Sequence, residues 1–409
     1  MSRKKQNQKD ETTLDLSEKI GLTLLSDAKS VEISDWLPTK IPQLDYILGG
    51  GIPFGRVTEI YGLNSSGKST LAANLTKNAQ ELGIMVVWMD IEGTMTGTTL
   101  DSFGIDPSDN IFLWGAEEGE ILTIETVTEK VKQITDLAKD IDTPILLIWD
   151  SLAATPTDVS LEDGYNPNRM GVVAKAITNM VTLLGQSITH TNIAFVILNQ
   201  ARDDLKSNPM FPTIKSTGGR ALEHWASLRL EVQKASQIKE DNDNPLGKKQ
   251  KEYVGHIFRV KTVKSKVSTP NKQAEVYLIS SPYVGVDFTE NLYRTSVEDY
   301  EFITKGAWRN YTTLGGEEIK LRDKEWIGFL KSPEGEKVKN ELFLRQLKAF
   351  FPNRYPVLDN KNTNIELDAD LALAKKYYDG EDVSEYITVG ADKSKMEVEG
   401  DEGEETKNK

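Results

Sequence analysis

Cysteine is absent from the 409 residues, and histidine occurs only three times, at His190, His224 and His256. Disulfides, a thiol nucleophile and thiolate metal sites are therefore excluded, and three scattered histidines do not suggest a zinc centre. Any metal should be a hard cation on oxygen ligands. No hydrophobic run approaches the ~20 residues that span a bilayer. Residues 1–10 are rich in Lys and Gln with no apolar segment behind them, so the expectation is a cytoplasmic chain with no secretory leader and no membrane partner. Net positive charge is lacking too: 49 Lys and Arg against 63 Asp and Glu give −14. That balance alone argues against coating nucleic acid by bulk electrostatics. Its distribution changes the reading, because residues 397–405 hold six acids and no base while 248–272 is dominated by Lys and Arg. A basic surface can coexist with a negative total.

The length suggests two or three domains at roughly 100–200 residues each. Residues 1–13 are polar, and Leu14, Ile20 and Leu24 are spaced for a short amphipathic helix that would be marginal unless it docks on something. From about residue 39 to 281 short apolar runs (57–61, 85–90, 145–150, 193–199 and 228–232) alternate with helical stretches (69–82, 121–139 and 170–188). Fully apolar strands alternating with helices predict an α/β domain with a mostly parallel central sheet covered on both faces. After about 283 the alternation gives way to an aromatic-rich α+β region ending in an amphipathic helix over 337–351, then a helical piece to about 380 and an acidic tail.

The run 57–61 leads into Gly62-Leu-Asn64-Ser65-Ser66-Gly67-Lys68-Ser69-Thr70, the Gly-x4-Gly-Lys-Ser/Thr pattern of a Walker A loop between a strand and a helix. Such a loop turns its N–H groups onto phosphates, with the helix N-terminus behind it. Lys68 would meet the β- and γ-phosphates and the Ser69 hydroxyl would hold Mg²⁺. Asp150 ends the run 145–150, where a carboxylate reaches the Mg²⁺ shell through water. Glu92, just past 85–90, can align a water for attack on the γ-phosphate, with Asp90 as its rival. An amide of Asn199-Gln200, ending the next strand, can sense the γ-phosphate.

These residues, with Gly55-Arg-Val-Thr-Glu-Ile-Tyr-Gly62, Asp150-Ser-Leu-Ala-Ala154, Leu198-Asn-Gln200, Thr217-Gly-Gly-Arg-Ala-Leu222, Trp225-Ala-Ser-Leu-Arg-Leu230, Val260-Lys-Thr-Val-Lys-Ser-Lys266, Lys272-Gln-Ala-Glu275 and Gly306-Ala-Trp308, resemble the RecA family of ATP-dependent DNA recombinases over about residues 39–351. The lack of cysteine and the variant loops look more like a bacteriophage member than a typical bacterial one. The resemblance implies a RecA-like P-loop core over 38–285, an N-terminal oligomerisation arm over 1–37, a small C-terminal α+β domain over 286–380 and a disordered acidic tail over 381–409. It implies that Glu92 activates water, that Gln200 links the γ-phosphate to a second DNA-binding loop over 200–219, and that Lys264 and Lys266 reach a neighbour's ATP. In that loop Arg202, Lys206 and Lys215 suit phosphates, Phe211 suits bases, and Gly218 and Gly219 allow reordering. A first loop over 161–171 would present Arg169 and Met170.

The implied activity is a DNA-stimulated ATPase, using ATP and Mg²⁺, that forms a helical homo-oligomeric filament on single-stranded DNA and exchanges strands with homologous duplex. Single-strand-binding and mediator proteins are the further partners this implies. A ring helicase on the same core is the alternative. Two departures stand out: residues 93–99 lack the family's Asp and Tyr that frame adenine, and Glu223-His224 replaces its usual Lys-Phe pair at a subunit contact.

Overall fold

The computed structural model describes residues 36–115, 121–139, 141, 143–162, 170–203, 214–243, 249–279, 285–298, 301–313 and 315–350. The expected arm, apart from its last two residues, the stretch 351–380 and the acidic tail lie outside the described residues. In chain order the strands are β1 (Trp36–Leu37), β2 (Ile52–Pro53), β3 (Arg56–Gly62), β4 (Met85–Asp90), β5 (Ile111–Gly115), β6 (Ile145–Asp150), β7 (Ile193–Asp203), β8 (Ile214–Ser216), β9 (Leu228–Asp243), β10 (Lys249–Ser265), β11 (Gln273–Ile279), β12 (Gly285–Val286), β13 (Trp308–Thr312) and β14 (Glu318–Arg322). The helices are α1 (Pro42–Leu48), α2 (Lys68–Glu81), α3 (Gly97–Phe103), α4 (Ile124–Ala138), α5 (Asp158–Glu162), α6 (Met170–Leu184), α7 (Arg220–Trp225), α8 (Phe288–Glu298), α9 (Asp323–Leu330) and α10 (Glu336–Phe350).

The central sheet runs β12-β11-β10-β9-β3-β7-β6-β4-β5, with β8 attached to β7. From β5 to β9 the neighbours are parallel, and from β9 to β12 they are antiparallel. Every residue of β6 is buried, which is the burial its unbroken apolar run anticipates. Because side chains alternate across a strand, Leu146 and Ile148 join one core with Leu71, Leu75 and Trp88, while Leu147 and Trp149 join a second with Val127, Val131 and Ile177. Helices α1 and α2 thus cover one face, and α4 and α6 the other. Burying a side chain such as Leu147 contributes about 1.5–3 kcal/mol.

Helix α4 starts later than the apolar pattern suggests. Thr123 caps it reciprocally: its hydroxyl accepts the Thr126 N–H at 3.1 Å, and the Thr126 hydroxyl accepts the Thr123 N–H at 2.8 Å. Ile121 is left outside the helix, 63% exposed. Regular elements take in the ends of both expected DNA loops. Leu161 and Glu162 belong to α5, Met170 and Gly171 to α6, and residues 163–169 and 204–213 lie outside the described residues. The second loop is zipped at its base, where β8 pairs antiparallel with β7 through Arg202 and Lys215.

The largest difference is a long hairpin. The run 228–232 continues to Asp243 and returns as β10. Strand β3 pairs with β9 only through Glu231, and β11 pairs with β10 only from Gly255. Beyond those points each strand of the ribbon has only the other as a described partner. A third core, with Tyr293, Tyr311, Trp326 and Phe343 fully buried, ties together α8, β13, β14, α9 and α10. The Tyr293 hydroxyl donates to Asp323 at 2.6 Å and the Tyr311 hydroxyl to Glu341 at 3.0 Å, satisfying the polar ends of these rings.

Candidate active site

Strands β3, β7, β6 and β4 are parallel neighbours, so their C-terminal ends share one rim of the sheet, the position where open α/β sheets take ligands. Register sets the details. Gly62, the first glycine of the phosphate loop, lies opposite Gln200, and Asp90 lies opposite Asp150. Four segments far apart in sequence therefore deliver their groups side by side.

The loop between β3 and α2 is held by its glycines. Gly67 has φ +98°, and a Cβ there would come within 2.7 Å of the Phe258 ring. At Gly62 a Cβ would meet the Val232 carbonyl oxygen at 2.2 Å. A larger residue at Gly62 would have to move the β9 backbone, and one at Gly67 would have to displace the Phe258 ring and adopt a backbone conformation that favours glycine. Asn64 and Ser65 are exposed, Thr70 is half-buried on α2, and the buried Ser66 hydroxyl has no hydrogen-bond partner. Lys68 folds back on the loop, donating to the carbonyls of Gly62 at 3.2 Å and Leu63 at 2.9 Å. Burial lowers its pKa, with Asp150 and Glu92 opposing that shift. An ammonium spending its donors on carbonyls, beside an orphaned serine hydroxyl at a helix N-terminus, fits an anionic phosphate ligand.

The Ser69 hydroxyl donates to Asp150 Oδ2 at 3.0 Å. Asp150 is 4% exposed, and its carboxyl is pushed up to about 6, first by desolvation and further by Glu92 and Asp90, against the Ser69 hydrogen bond. A carboxylate that burial and like charge destabilise is one a divalent cation would stabilise, so Ser69 and Asp150 fit Mg²⁺. Among the described residues no three acidic or histidine side chains converge as a metal cage.

Asp90 turns inward. It is 2% exposed, its Oδ2 accepts the Met95 N–H at 2.7 Å and its Oδ1 has no hydrogen-bond partner. It therefore ties down the turn carrying Glu92, whose side chain is the one that meets the neighbouring strand ends. Glu92 Oε1 accepts from the Ser151 hydroxyl at 2.7 Å and from Gln200 Nε2 at 3.4 Å. Ser151 is a residue to which sequence reasoning gave no role. The available signal was a serine placed to cap the 3-10 turn Leu152–Ala154, whose side chain makes no capping bond.

Beside Gln200 a buried polar network holds the base of the second loop. Asn199 Nδ2 donates to Glu59 Oε1 at 2.9 Å and to the Thr217 carbonyl at 2.8 Å, and its Oδ1 accepts the Thr217 hydroxyl at 2.7 Å. Arg229 donates to Glu59 Oε2 at 2.6 Å and to the Ser216 hydroxyl at 2.9 Å. The Thr217 N–H reaches the Gln200 carbonyl at 3.1 Å. These partners too were invisible to sequence reasoning, since Glu59 and Arg229 are 170 residues apart.

Arg202 and Lys215 are exposed at the loop's two stems, and Gly218 and Gly219, both with positive φ, join the loop to α7. Arg169, Lys206 and Phe211 lie outside the described residues, and Met170 is described only as the first residue of α6. Lys264 and Lys266 are not brought to this subunit's phosphate loop. Both reach the C-terminal carbonyls of α7: Lys264 those of Glu223 and, at 2.9 Å, His224, and Lys266 those of His224 at 3.0 Å and Trp225 at 3.4 Å. Lys264 is lowered to about 8, first by desolvation, then by the Lys266 and Arg229 charges.

Three strand ends and a phosphate loop arranged this way leave the ancestry to comparison with known proteins. The family model for the RecA N-terminal domain matches residues 17–284. Protein RecA of Thermotoga petrophila is 30% identical over 304 residues, covering 74% of this chain and 79% of that protein. Protein RecA of Streptomyces ambofaciens is 31% identical over 314 residues, covering 76% and 77% respectively. Protein RecA of Francisella philomiragia is 30% identical over 336 residues, covering 81% and 85%. The resemblance read from the motifs extends well beyond the phosphate loop, and the chain belongs to the RecA family.

Proposed function

We propose that this protein is a DNA-stimulated ATPase that assembles as a helical filament on single-stranded DNA and exchanges strands with a homologous duplex. The observation that carries the reading is the position of Gln200. It lies opposite Gly62 of the phosphate loop, within hydrogen-bond reach of Glu92, and its carbonyl is bonded to the returning stem of the second loop. One residue therefore joins the end of the phosphate loop to the stem of the loop assigned here to DNA. Lys68 would leave the loop carbonyls for the β- and γ-phosphates, and the free Ser66 hydroxyl would add a donor. Mg²⁺, when bound through Ser69 and Asp150, would supply charge neutralisation at the phosphates. Glu92 would take a proton from the attacking water as the water oxygen bonds to the γ-phosphorus and ADP leaves.

Gln200 would turn toward the γ-phosphate, shifting the loop stem that Asn199, Thr217 and Arg229 hold. That links nucleotide state to DNA contact through Arg202, Lys206, Phe211 and Lys215, with Arg169 and Met170 on the first loop. Lys264 and Lys266 would leave α7 for a neighbour's nucleotide, which makes the active unit an oligomer; an open head-to-tail contact propagates as a filament. The test is steady-state ATP hydrolysis with Mg²⁺, with and without single-stranded DNA at fixed low salt. Strong stimulation, lost in Lys68→Ala and Glu92→Gln, is expected. Turnover indifferent to DNA would remove the loop assignment, and unwinding of a fork without a homologous partner would point to a helicase instead.

A further inference from the structure

Among the described residues two donors reach the Glu92 carboxylate, and both reach the same oxygen, Oε1. The Gln200 amide is the longer and more exposed contact, at 3.4 Å; the Ser151 hydroxyl is the shorter, at 2.7 Å, from a residue 2% exposed. Ser151 follows β6 directly and sits at the N-terminal cap of the turn Leu152–Ala154, with extended backbone at φ −130° and ψ 152°. A serine there ordinarily spends its side chain on the turn's own N–H groups. Here that bond is not made, and the Ala154 N–H goes to the Ser151 carbonyl instead, at 3.2 Å.

The backbone presenting this hydroxyl is fixed from behind. The Ser151 carbonyl also accepts the Thr155 hydroxyl at 2.8 Å, and Thr155 in turn accepts the Trp149 indole N–H at 2.9 Å. Trp149 is fully buried and Thr155 is 4% exposed. Meanwhile β4 and β6 stay in register to their ends, with the Ile91 N–H on the Asp150 carbonyl at 2.8 Å. Glu92 and Ser151 are thereby held on two adjoining strand ends, and the hydroxyl's one proton is committed to Oε1.

We propose that Ser151 is a positioning residue for ATP hydrolysis: its hydroxyl pins Oε1 of Glu92, leaves Oε2 as the oxygen that accepts the proton of the attacking water, and keeps that orientation when Gln200 departs. The inference rests on the reading of Glu92 as the base. Its reasoning is geometric: with Gln200 alone the carboxylate would lose its last donor once the amide turned to a γ-phosphate, whereas Ser151 is anchored to a part of the core that has no reason to move. Orientation of a reacting group within a few tenths of an ångström is worth orders of magnitude in rate.

The experiment uses the full chain. Ser151→Ala should lower kcat by roughly 10- to 100-fold, by the same factor with and without single-stranded DNA, while the affinity for a slowly hydrolysed ATP analogue with Mg²⁺ changes less than about twofold. The decisive readout is the double variant. Because Ser151 acts through the Glu92 carboxylate, Ser151→Ala on a Glu92→Gln background should cost nothing further in single-turnover hydrolysis. A merely structural serine would impose its penalty on both backgrounds. Unchanged kcat in Ser151→Ala, a parallel loss of analogue affinity, or an additive loss in the double variant would each overturn the proposal. Full turnover in Glu92→Gln alone would instead overturn the base assignment on which it stands.

Discussion

Replacing Arg229 by methionine isolates the energetic core of the network beneath the second loop. In the native chain Arg229 is 8% exposed and Glu59 fully buried; the guanidinium donates to Glu59 at 2.6 Å and to Ser216 at 2.9 Å, and stacks over the Tyr61 ring 5.0 Å away. Methionine keeps much of the volume but, among the described residues, leaves the Glu59 carboxylate only the Asn199 amide, at 2.9 Å. Removing one partner of a buried ion pair costs about 3–5 kcal/mol, because the survivor is left uncompensated. The Glu223 contact adds little, since that side chain is 38% exposed at 3.4 Å. Removing both charges, as Glu59→Leu with Arg229→Met, should return most of that loss. What remains is an Asn199 amide without its acceptor and the unfilled part of the site, about 1–2 kcal/mol. The coupling between the two sites is then about 2 kcal/mol or more. Urea denaturation at pH 7 without nucleotide, followed by tryptophan fluorescence, to which the buried Trp88, Trp149 and Trp326 contribute, measures it. A single variant losing under about 1 kcal/mol, or a double variant as unstable as the sum of the singles, would refute the uncompensated-charge account.

Three further outcomes follow from the same geometry. Asp150 has its pKa raised from 3.8 to about 6, so the folded chain binds more protons than the unfolded one between those values; ligand-free stability should fall as pH rises through that window, by up to about 3 kcal/mol from this group. Asp150→Asn should abolish that slope and melt higher than the parent at pH 7 by differential scanning calorimetry while failing to bind Mg²⁺-nucleotide normally; an unchanged slope would count against the burial argument. Lys264 is held to about 8 partly by Lys266, so removing that charge in Lys266→Gln should carry the alkaline limb of DNA-stimulated turnover to higher pH, read from a rate profile between pH 7 and 10. Gly67→Ala should lose nucleotide binding in equilibrium titration, and trimming the Phe258 ring to leucine should not restore it, because the φ of +98° remains.

The sequence discloses some of these elements and conceals others for identifiable reasons. Met85–Asp90 and Ile145–Asp150 are read at their observed bounds because unbroken apolar runs end at aspartates. The start of α4 is misjudged because Ile121 and Leu122 continue the hydrophobic period, whereas Thr123 and Thr126 decide it through hydrogen bonds. The long hairpin is concealed because the run 239–252 is almost wholly charged or polar and shows no apolar alternation. Within the site, Lys68, Ser69 and Asp150 are legible as a motif. The meeting of Glu92 with Ser151 and Gln200 is not, because it depends on β4, β6 and β7 being neighbours, which only the fold supplies. The hold of Lys264 and Lys266 on α7 is not legible either, because it depends on where a six-residue helix ends.

The ribbon formed by β9 and β10 divides one strand into two thermodynamic regimes. Leu228, Leu230 and Val232 belong to the first core, as do Phe258 and Val260, and among the described residues none of the ribbon between them does. In an antiparallel pair, alternate N–H groups face the partner and the outside, so beyond Val232 half of the amides have no described strand to bond. Opening the outer ribbon parts two strands that have only each other as described partners, whereas opening the stretch 228–232 requires parting β3 and the core beneath it. Amide exchange along β9 should therefore fall abruptly at Val232, fast outward and slow inward. A single continuous strand would then breathe at one end every few moments while its other end waits for the whole domain to unfold.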